Sequence, residues 1–142
     1  MSAANAGAKD ADPSKSFHLD VVTWIDKHPE KLSTRVSLKS NGNRRTEFFS
    51  KIGKYWIVFP GGPGTLQELG TGLSAKYYNE KNKPDKIILV NRKFFKPIKA
   101  LLENMDNKQL TKNVKNYAEM ADTEEEILKI IHDDKAKIDI KV

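Results

Sequence analysis

Two short apolar runs organise the middle of the chain. Tyr55-Trp56-Ile57-Val58-Phe59 and Lys86-Ile87-Ile88-Leu89-Val90 are each one strand long and almost free of polar residues. Unbroken apolarity over so short a length predicts a strand covered on both faces, as in a parallel sheet, because a strand with one wet face alternates. Phe17-His18-Leu19-Asp20-Val21-Val22 does alternate and predicts another strand, and Arg35 to Leu38 predicts a short edge strand. Tyr117 to Met120 predicts a last short strand.

Between these runs the apolar spacing becomes helical. Asn43 is placed to cap a helix over Arg44 to Ile52, with Phe48, Phe49 and Ile52 on one face. A helix is predicted from Thr65 to Tyr78, where Gly70 and Gly72 either cost stability or permit close backbone packing. Pro97 suits the first turn of a helix that ends near Met105. Thr123 and Glu126 have capping-box spacing ahead of Ile127, Leu128, Ile130 and Ile131, which predicts a final helix that frays from Lys135. The Ala-rich start, Met1 to Ala11, predicts a short helix ended by Gly7 or by Asp12-Pro13. Strands alternating with helices predict an α/β fold, a Rossmann-like parallel sheet flanked by helices. The expected organisation is one domain over residues 1–134 and a tail over 135–142.

Composition narrows the function classes. A chain of 142 residues can build one core but not two. No apolar run approaches membrane-spanning length, and residues 1–15 lack the apolar stretch of a signal peptide, so a cytoplasmic protein is expected. Cysteine is absent, which excludes disulfides and thiol catalysis. His18, His28 and His132 have no ligand spacing and Asp133-Asp134 reads as a solvated pair, so no metal is expected. The net charge of +6 suits an anionic partner, a phosphorylated small molecule or a nucleic acid, or simply a Lys-rich solvated surface. Nucleic-acid binding is not expected, because no recognised module or basic-aromatic stripe is present. Arginine is rare (Arg35, Arg44, Arg45 and Arg92), which makes the adjacent Arg44-Arg45 pair conspicuous.

The chemistry concentrates after the first apolar strand, in Pro60-Gly61-Gly62-Pro63-Gly64-Thr65-Leu66-Gln67-Glu68. Small residues there let a ligand approach the backbone, and the helix that follows starts with free N–H groups and the positive end of its dipole. A phosphate is the expected guest, at the carboxyl end of a parallel strand; a glycine turn with no ligand is the plain alternative. The loop lacks the Gly-Lys-Ser/Thr of a P-loop and the GxGxxG of a dinucleotide fold. Glu68 is either a carboxylate beside that phosphate or an acidic residue complementing the dipole in the first helical turn.

The string Pro60-Gly61-Gly62-x-Gly64-Thr65-x-x-Glu68 resembles the PGGxGTxxE signature of the LOG (Lonely Guy), or lysine-decarboxylase-like, family at every fixed position. Arg44-Arg45-Thr46-Glu47-Phe48 resembles the family segment Arg-Lys-x-x-Met, with Phe48 where Met is usual. Met1-Ser2-Ala3-Ala4-Asn5-Ala6-Gly7-Ala8 resembles the later part of the family stretch Gly-Pro-Gly-Ile-Met-x-Ala-Ala-Asn-x-Gly-Ala. The likeness runs to about residue 131, and the family's first strand, first helix, second strand and glycine loop have no counterpart in these residues, so the fold is expected to be N-terminally truncated relative to the family; either the true start lies upstream or this is a shortened form.

The resemblance implies hydrolysis of the N-glycosidic bond of nucleoside 5′-monophosphates, cytokinin ribotides or AMP-like molecules, to free base and ribose 5-phosphate. It implies catalytic roles for Glu68 and Arg44 and substrate binding by Gly61, Gly62, Gly64, Thr65 and Arg45, with Met1 and Asn5 beside the nucleotide. It implies no cofactor. A lysine decarboxylase would need pyridoxal phosphate, and nothing indicates a Schiff-base lysine. It also implies a homodimer. The alternative is a Rossmann module that binds a nucleotide without turning it over, as a sensor or carrier; retention of Arg44 and Glu68 favours the enzyme, and the absent first strand–helix–strand unit favours a non-catalytic form.

Overall fold

Parallel strand pairing runs through both parts of the chain. The computed structural model describes residues 7, 10–11, 17–21, 34–38 and 53–139, and the chain divides into two compact units, Met1–Phe49 and Ser50–Val142. In the first unit Gly7, Asp10 and Ala11 are helical. There β1 (Phe17–Val21) pairs in parallel with β2 (Thr34–Leu38), from Phe17 opposite Thr34 to Val21 opposite Leu38. The helix expected over Arg44 to Ile52 lies outside the described residues.

The second unit alternates strand and helix: β3 (Tyr55–Val58), α1 (Pro63–Tyr77), β4 (Lys86–Val90), α2 (Arg92–Asn107), a 3-10 turn (Val114–Asn116), β5 (Ala118–Ala121) and α3 (Glu124–Asp139). Its sheet is parallel in the order β3-β4-β5, with Tyr55 opposite Lys86 and Ile87 opposite Ala118. Three parallel strands flanked by helices make this the expected Rossmann-like α/β arrangement.

Which helix covers which face follows from the alternation of side chains. Trp56, Val58, Ile87, Leu89, Ala118 and Met120 belong to one cluster with Leu69 and Leu73 of α1 and Phe95 and Ile98 of α2. Both crossover helices therefore lie on one face, as successive right-handed βαβ units advancing in one direction require. Phe95, Ile87 and Leu89 are fully buried there; each such side chain contributes roughly 1.5–3 kcal/mol. The opposite face carries Tyr55, Lys86 and Glu119, and α3 packs on it. The Tyr55 hydroxyl donates to Asp134 Oδ2 at 3.1 Å, and Lys86 Nζ reaches Glu119 Oε1 at 2.5 Å and Asp134 Oδ1 at 3.8 Å. The chain thus changes faces after β5.

Three details differ from the pattern reading. Within the described sheet β4 is central, with Ile87, Ile88 and Leu89 at 0% exposure, whereas β3 is an edge and its Ile57 is 42% exposed. An apolar run alone does not distinguish the two positions. Helix α2 starts at Arg92, so Pro97 lies inside it rather than in its first turn. The start is set by Asn91, whose side chain accepts from the Phe94 N–H at 2.9 Å. Helix α3 continues past Lys135 to Asp139. Among the described residues no helix is long and apolar enough to cross a membrane.

Candidate functional site

The carboxyl end of β3 runs directly into the glycine loop. Helix α1 begins at Pro63, two residues before the position its apolar spacing predicts, with Gly62 as an extended N-cap (φ −90°, ψ −159°) that has no side chain to cap with. Proline fits this first position because its missing N–H would have no helical partner and its ring already sets a helical φ. The Gly62 carbonyl accepts from the Thr65 and Leu66 N–H groups at 3.0 and 3.3 Å. The N–H groups of Gly61, Gly62 and Gly64 take no backbone acceptor among the described residues. These donors, at the positive end of the α1 dipole, form a cradle suited to an anion.

Each loop glycine serves space rather than an unusual backbone angle, since no described glycine has positive φ. A Cβ on Gly61 would stand 2.1 Å from Thr65 Oγ1 and 3.0 Å from Thr65 Cβ. The Thr65 hydroxyl is therefore folded back over the loop it follows. A Cβ on Gly62 or Gly64 would meet nothing within 4 Å. Neither dihedral nor packing among the described residues demands glycine at those two positions, and glycine there leaves the main chain open to close approach.

Glu68 lies farther along α1 than expected. With the helix starting at Pro63, its first turn holds no acidic residue. The dipole-complementing role proposed for a first-turn glutamate therefore does not apply. Thr65, Glu68, Leu69 and Gly72 follow the i, i+3, i+4, i+7 spacing of one helical face. Along it exposure falls from half-buried Thr65 and Glu68 to buried Leu69 and Gly72. Glu68 thus stands one turn beyond the Thr65 hydroxyl, on the sheet-facing side of α1 and at the ligand end of the sheet. Gly72 lets that face sit close: its Cβ would be 2.7 Å from Trp56 Cζ3 and 3.2 Å from Ile87 Cδ1.

The carboxyl ends of β4 and β5 are tied together beside this edge. Asn91 takes a left-handed conformation (φ 86°) and its N–H donates to the Ala121 carbonyl at 2.9 Å. Arg92 Nη1 donates to Asp122 Oδ2 at 2.9 Å and to Glu126 Oε2 at 2.6 Å, and Nη2 to the Met120 carbonyl at 3.0 Å. Asp122 accepts the Arg92 N–H at 2.7 Å, and Glu126 accepts the Asp122 N–H at 2.7 Å. The Arg92 guanidinium and then the Asp122 N–H hold the Glu126 carboxyl below its ordinary value; the Arg92 N–H and then its guanidinium do the same for Asp122. The capping box is realised with a shift: Thr123 Oγ1 accepts from the Glu126 N–H at 3.3 Å, while Glu126 reaches past it to Asp122. Sequence reasoning found the Thr123–Glu126 spacing but missed the tie of Glu126 and Asp122 to Arg92.

Of the residues expected at the site, the structure brings together Gly61, Gly62, Gly64, Thr65 and Glu68 on one loop and helix start. Arg44, Arg45, Met1 and Asn5 lie outside the described residues. Residues 1–131 match the family described as possible lysine decarboxylase. The chain belongs to this family. Its match spans nearly the whole chain, in agreement with the LOG-like likeness read from the glycine loop. A search among curated proteins finds no match. In this LOG-like member the signature occupies a strand-to-helix turn, with its glycines open to solvent and its glutamate one turn further on.

Proposed function

We propose that this LOG-like protein hydrolyses the N-glycosidic bond of nucleoside 5′-monophosphates, a cytokinin ribotide or AMP-like molecule. The observation that carries this reading is the open backbone at Gly62 and Gly64, with Glu68 one turn beyond Thr65 on the half-buried face of α1. The N–H groups of Gly61, Gly62 and Gly64 and the Thr65 hydroxyl bind the 5′-phosphate, a group remote from the bond that breaks. Binding there orients the ribose. The C1′–N bond breaks with positive charge developing on the ribose, as in glycoside hydrolysis. The Glu68 carboxylate stabilises that charge and positions the attacking water. The water oxygen bonds to C1′ and its proton balances the departing base, leaving ribose 5-phosphate. Arg44 orients the substrate or assists the leaving base, Arg45 attracts the phosphate, and Met1 and Asn5 line the nucleotide. We further propose a homodimer and a cytoplasmic location, on the family likeness and composition.

The decarboxylase named in the family description would hold pyridoxal phosphate on a lysine, and the described site does not fit that group. No lysine lies between residues 55 and 75. Three of the half-buried lysines among the described residues are engaged elsewhere: Lys76 Nζ donates to the Pro84 and Asp85 carbonyls at 3.1 and 2.7 Å, Lys86 pairs with Glu119, and Lys99 donates to the Lys115 and Ala118 carbonyls. Burial, and then the nearby Lys86 charge, push the Lys76 amine below its ordinary pKa, but it lies at the end of α1 away from the loop.

Incubation of the purified chain with AMP and with a cytokinin ribotide, assayed for free base and ribose 5-phosphate, tests the proposal. Base release by the parent and its loss in Glu68→Gln and Arg44→Ala is the expected result. Binding of both ligands without release would replace the enzyme by a nucleotide-binding module.

A further inference from the structure

We propose that Pro63 is a positioning residue, which holds the Gly61-Gly62 segment in the conformation that receives the phosphate. This rests on the reading of the loop as a phosphate cradle. The loop is otherwise built from residues that restrain little. Gly62 is the N-cap of α1 but makes no side-chain cap, and a side chain at Gly62 or Gly64 would touch nothing among the described residues. A glycine N-cap without a side-chain bond leaves the entry to the helix free to sample many backbone states, and ordering it on binding costs affinity.

Pro63 removes much of that freedom in two ways. Its ring fixes its own φ near the helical value. It also disfavours the helical region for the residue before it, which biases Gly62 toward extended conformations. Gly62 has such a conformation, φ −90° and ψ −159°. Its carbonyl is thereby aimed down the helix to accept from Thr65 and Leu66, and the N–H groups of Gly61 and Gly62 take no backbone acceptor among the described residues. Thr65, which reaches back over Gly61, is held by the same arrangement. Proline carries out this restraint with no loss of helical bonding, because the N–H it lacks would have had no helical acceptor.

The test is Pro63→Ala, since alanine is well tolerated at a helix start and the variant should fold. AMP binding is measured by titration and base release by steady-state kinetics. Backbone NMR order parameters at Gly61, Gly62 and Gly64 are followed, with amide exchange in the interior of α1 as the control. A two- to fivefold weaker AMP affinity is expected, about the effect of releasing one proline restraint. KM should rise to match while kcat at saturation is unchanged, with lower order parameters confined to the loop. Unchanged AMP affinity in Pro63→Ala would overturn the proposal while leaving the cradle standing. So would a fall in kcat at constant KM, or faster exchange throughout α1, which would indicate a purely structural role. Failure of the parent chain to bind AMP would remove the cradle and the proposal with it.

Discussion

The Thr65 hydroxyl occupies the space that a Cβ on Gly61 would need, with Oγ1 only 2.1 Å from the ideal Cβ position. Gly61 and Thr65 are therefore coupled through space, and the glycine permits one particular placement of the threonine. In Gly61→Ala the Thr65 side chain must turn away, and β-branching leaves it few alternatives. The expected result is about tenfold weaker AMP binding, the worth of a hydrogen bond to a charged group, with a small loss of melting temperature. A double-mutant cycle checks the coupling: in a Thr65→Ala background, Gly61→Ala should cost little further affinity. Full additivity would show that the two residues act separately.

Gly62 and Gly64 make the opposite case, because a methyl group there meets nothing among the described residues. At Gly64, inside the first turn of α1, alanine is also the better helix former. Gly64→Ala should therefore keep or raise the melting temperature while weakening AMP binding, and Gly64→Val should weaken binding further. Equal affinity in parent and Gly64→Val would show that no phosphate approaches this backbone, whatever the stability.

The glycines show how far the sequence could be read. The loop, its place after a strand and the helix behind it were legible because strand, glycine run and helix spacing are local signals. The boundaries of β4 were legible for the same reason. What distinguishes one glycine from another is not local: Gly61 faces Thr65, Gly72 faces Trp56 and Ile87, and Gly62, Gly64 and Gly70 face open space. Asn91 was missed as a cap because Pro97 is a stronger-looking start signal, yet it is the Asn91 side chain that closes the first turn of α2. The central position of β4 depends on which strands pair, and pairing joins residues more than a crossover apart in the chain. The Arg92 network likewise joins the β4–α2 and β5–α3 connections, which no spacing rule links.

Gly70 and Gly72 sit two positions apart in α1 and should respond to alanine in opposite directions. At Gly72 the new Cβ would be 2.7 and 2.9 Å from the Trp56 ring and 3.2 Å from Ile87 Cδ1. Overpacking of this kind costs about 1–3 kcal/mol, partly offset by the helix propensity of alanine. At Gly70 the Cβ meets nothing within 4 Å, so only the propensity gain of up to about 1 kcal/mol remains. Denaturant unfolding should place Gly72→Ala below the parent and Gly70→Ala above it. A gain at both positions would mean that the Trp56 ring moves aside freely.

Acid should loosen the second unit through Arg92. Folding holds Glu126 and Asp122 below their ordinary values, through the Arg92 guanidinium and N–H and the Asp122 N–H. Asp106 is also lowered: burial opposes this, but the Lys115 N–H, the Thr111 hydroxyl and the Val114 N–H outweigh it. A carboxyl that binds its proton less tightly in the folded state stabilises that state above its unfolded pKa, near 4 for these groups. The stabilisation disappears as pH falls through the lower folded values. The melting temperature should accordingly decline as pH drops from about 5 towards 3. Glu125 is lowered too, by its own N–H and then by the Thr123 hydroxyl. Arg92 is the partner shared by two of these four carboxyls, so Arg92→Ala should start from a lower melting temperature at neutral pH and decline less steeply in acid. The pairs are solvent-accessible, with side-chain exposures between 41 and 49%, so added salt should compress the difference between parent and variant. Parallel acid profiles for parent and Arg92→Ala would assign the acid sensitivity to Asp106, with the 3-10 turn it holds through Val114 and Lys115, and to Glu125, and would leave the Arg92 network without a part in it.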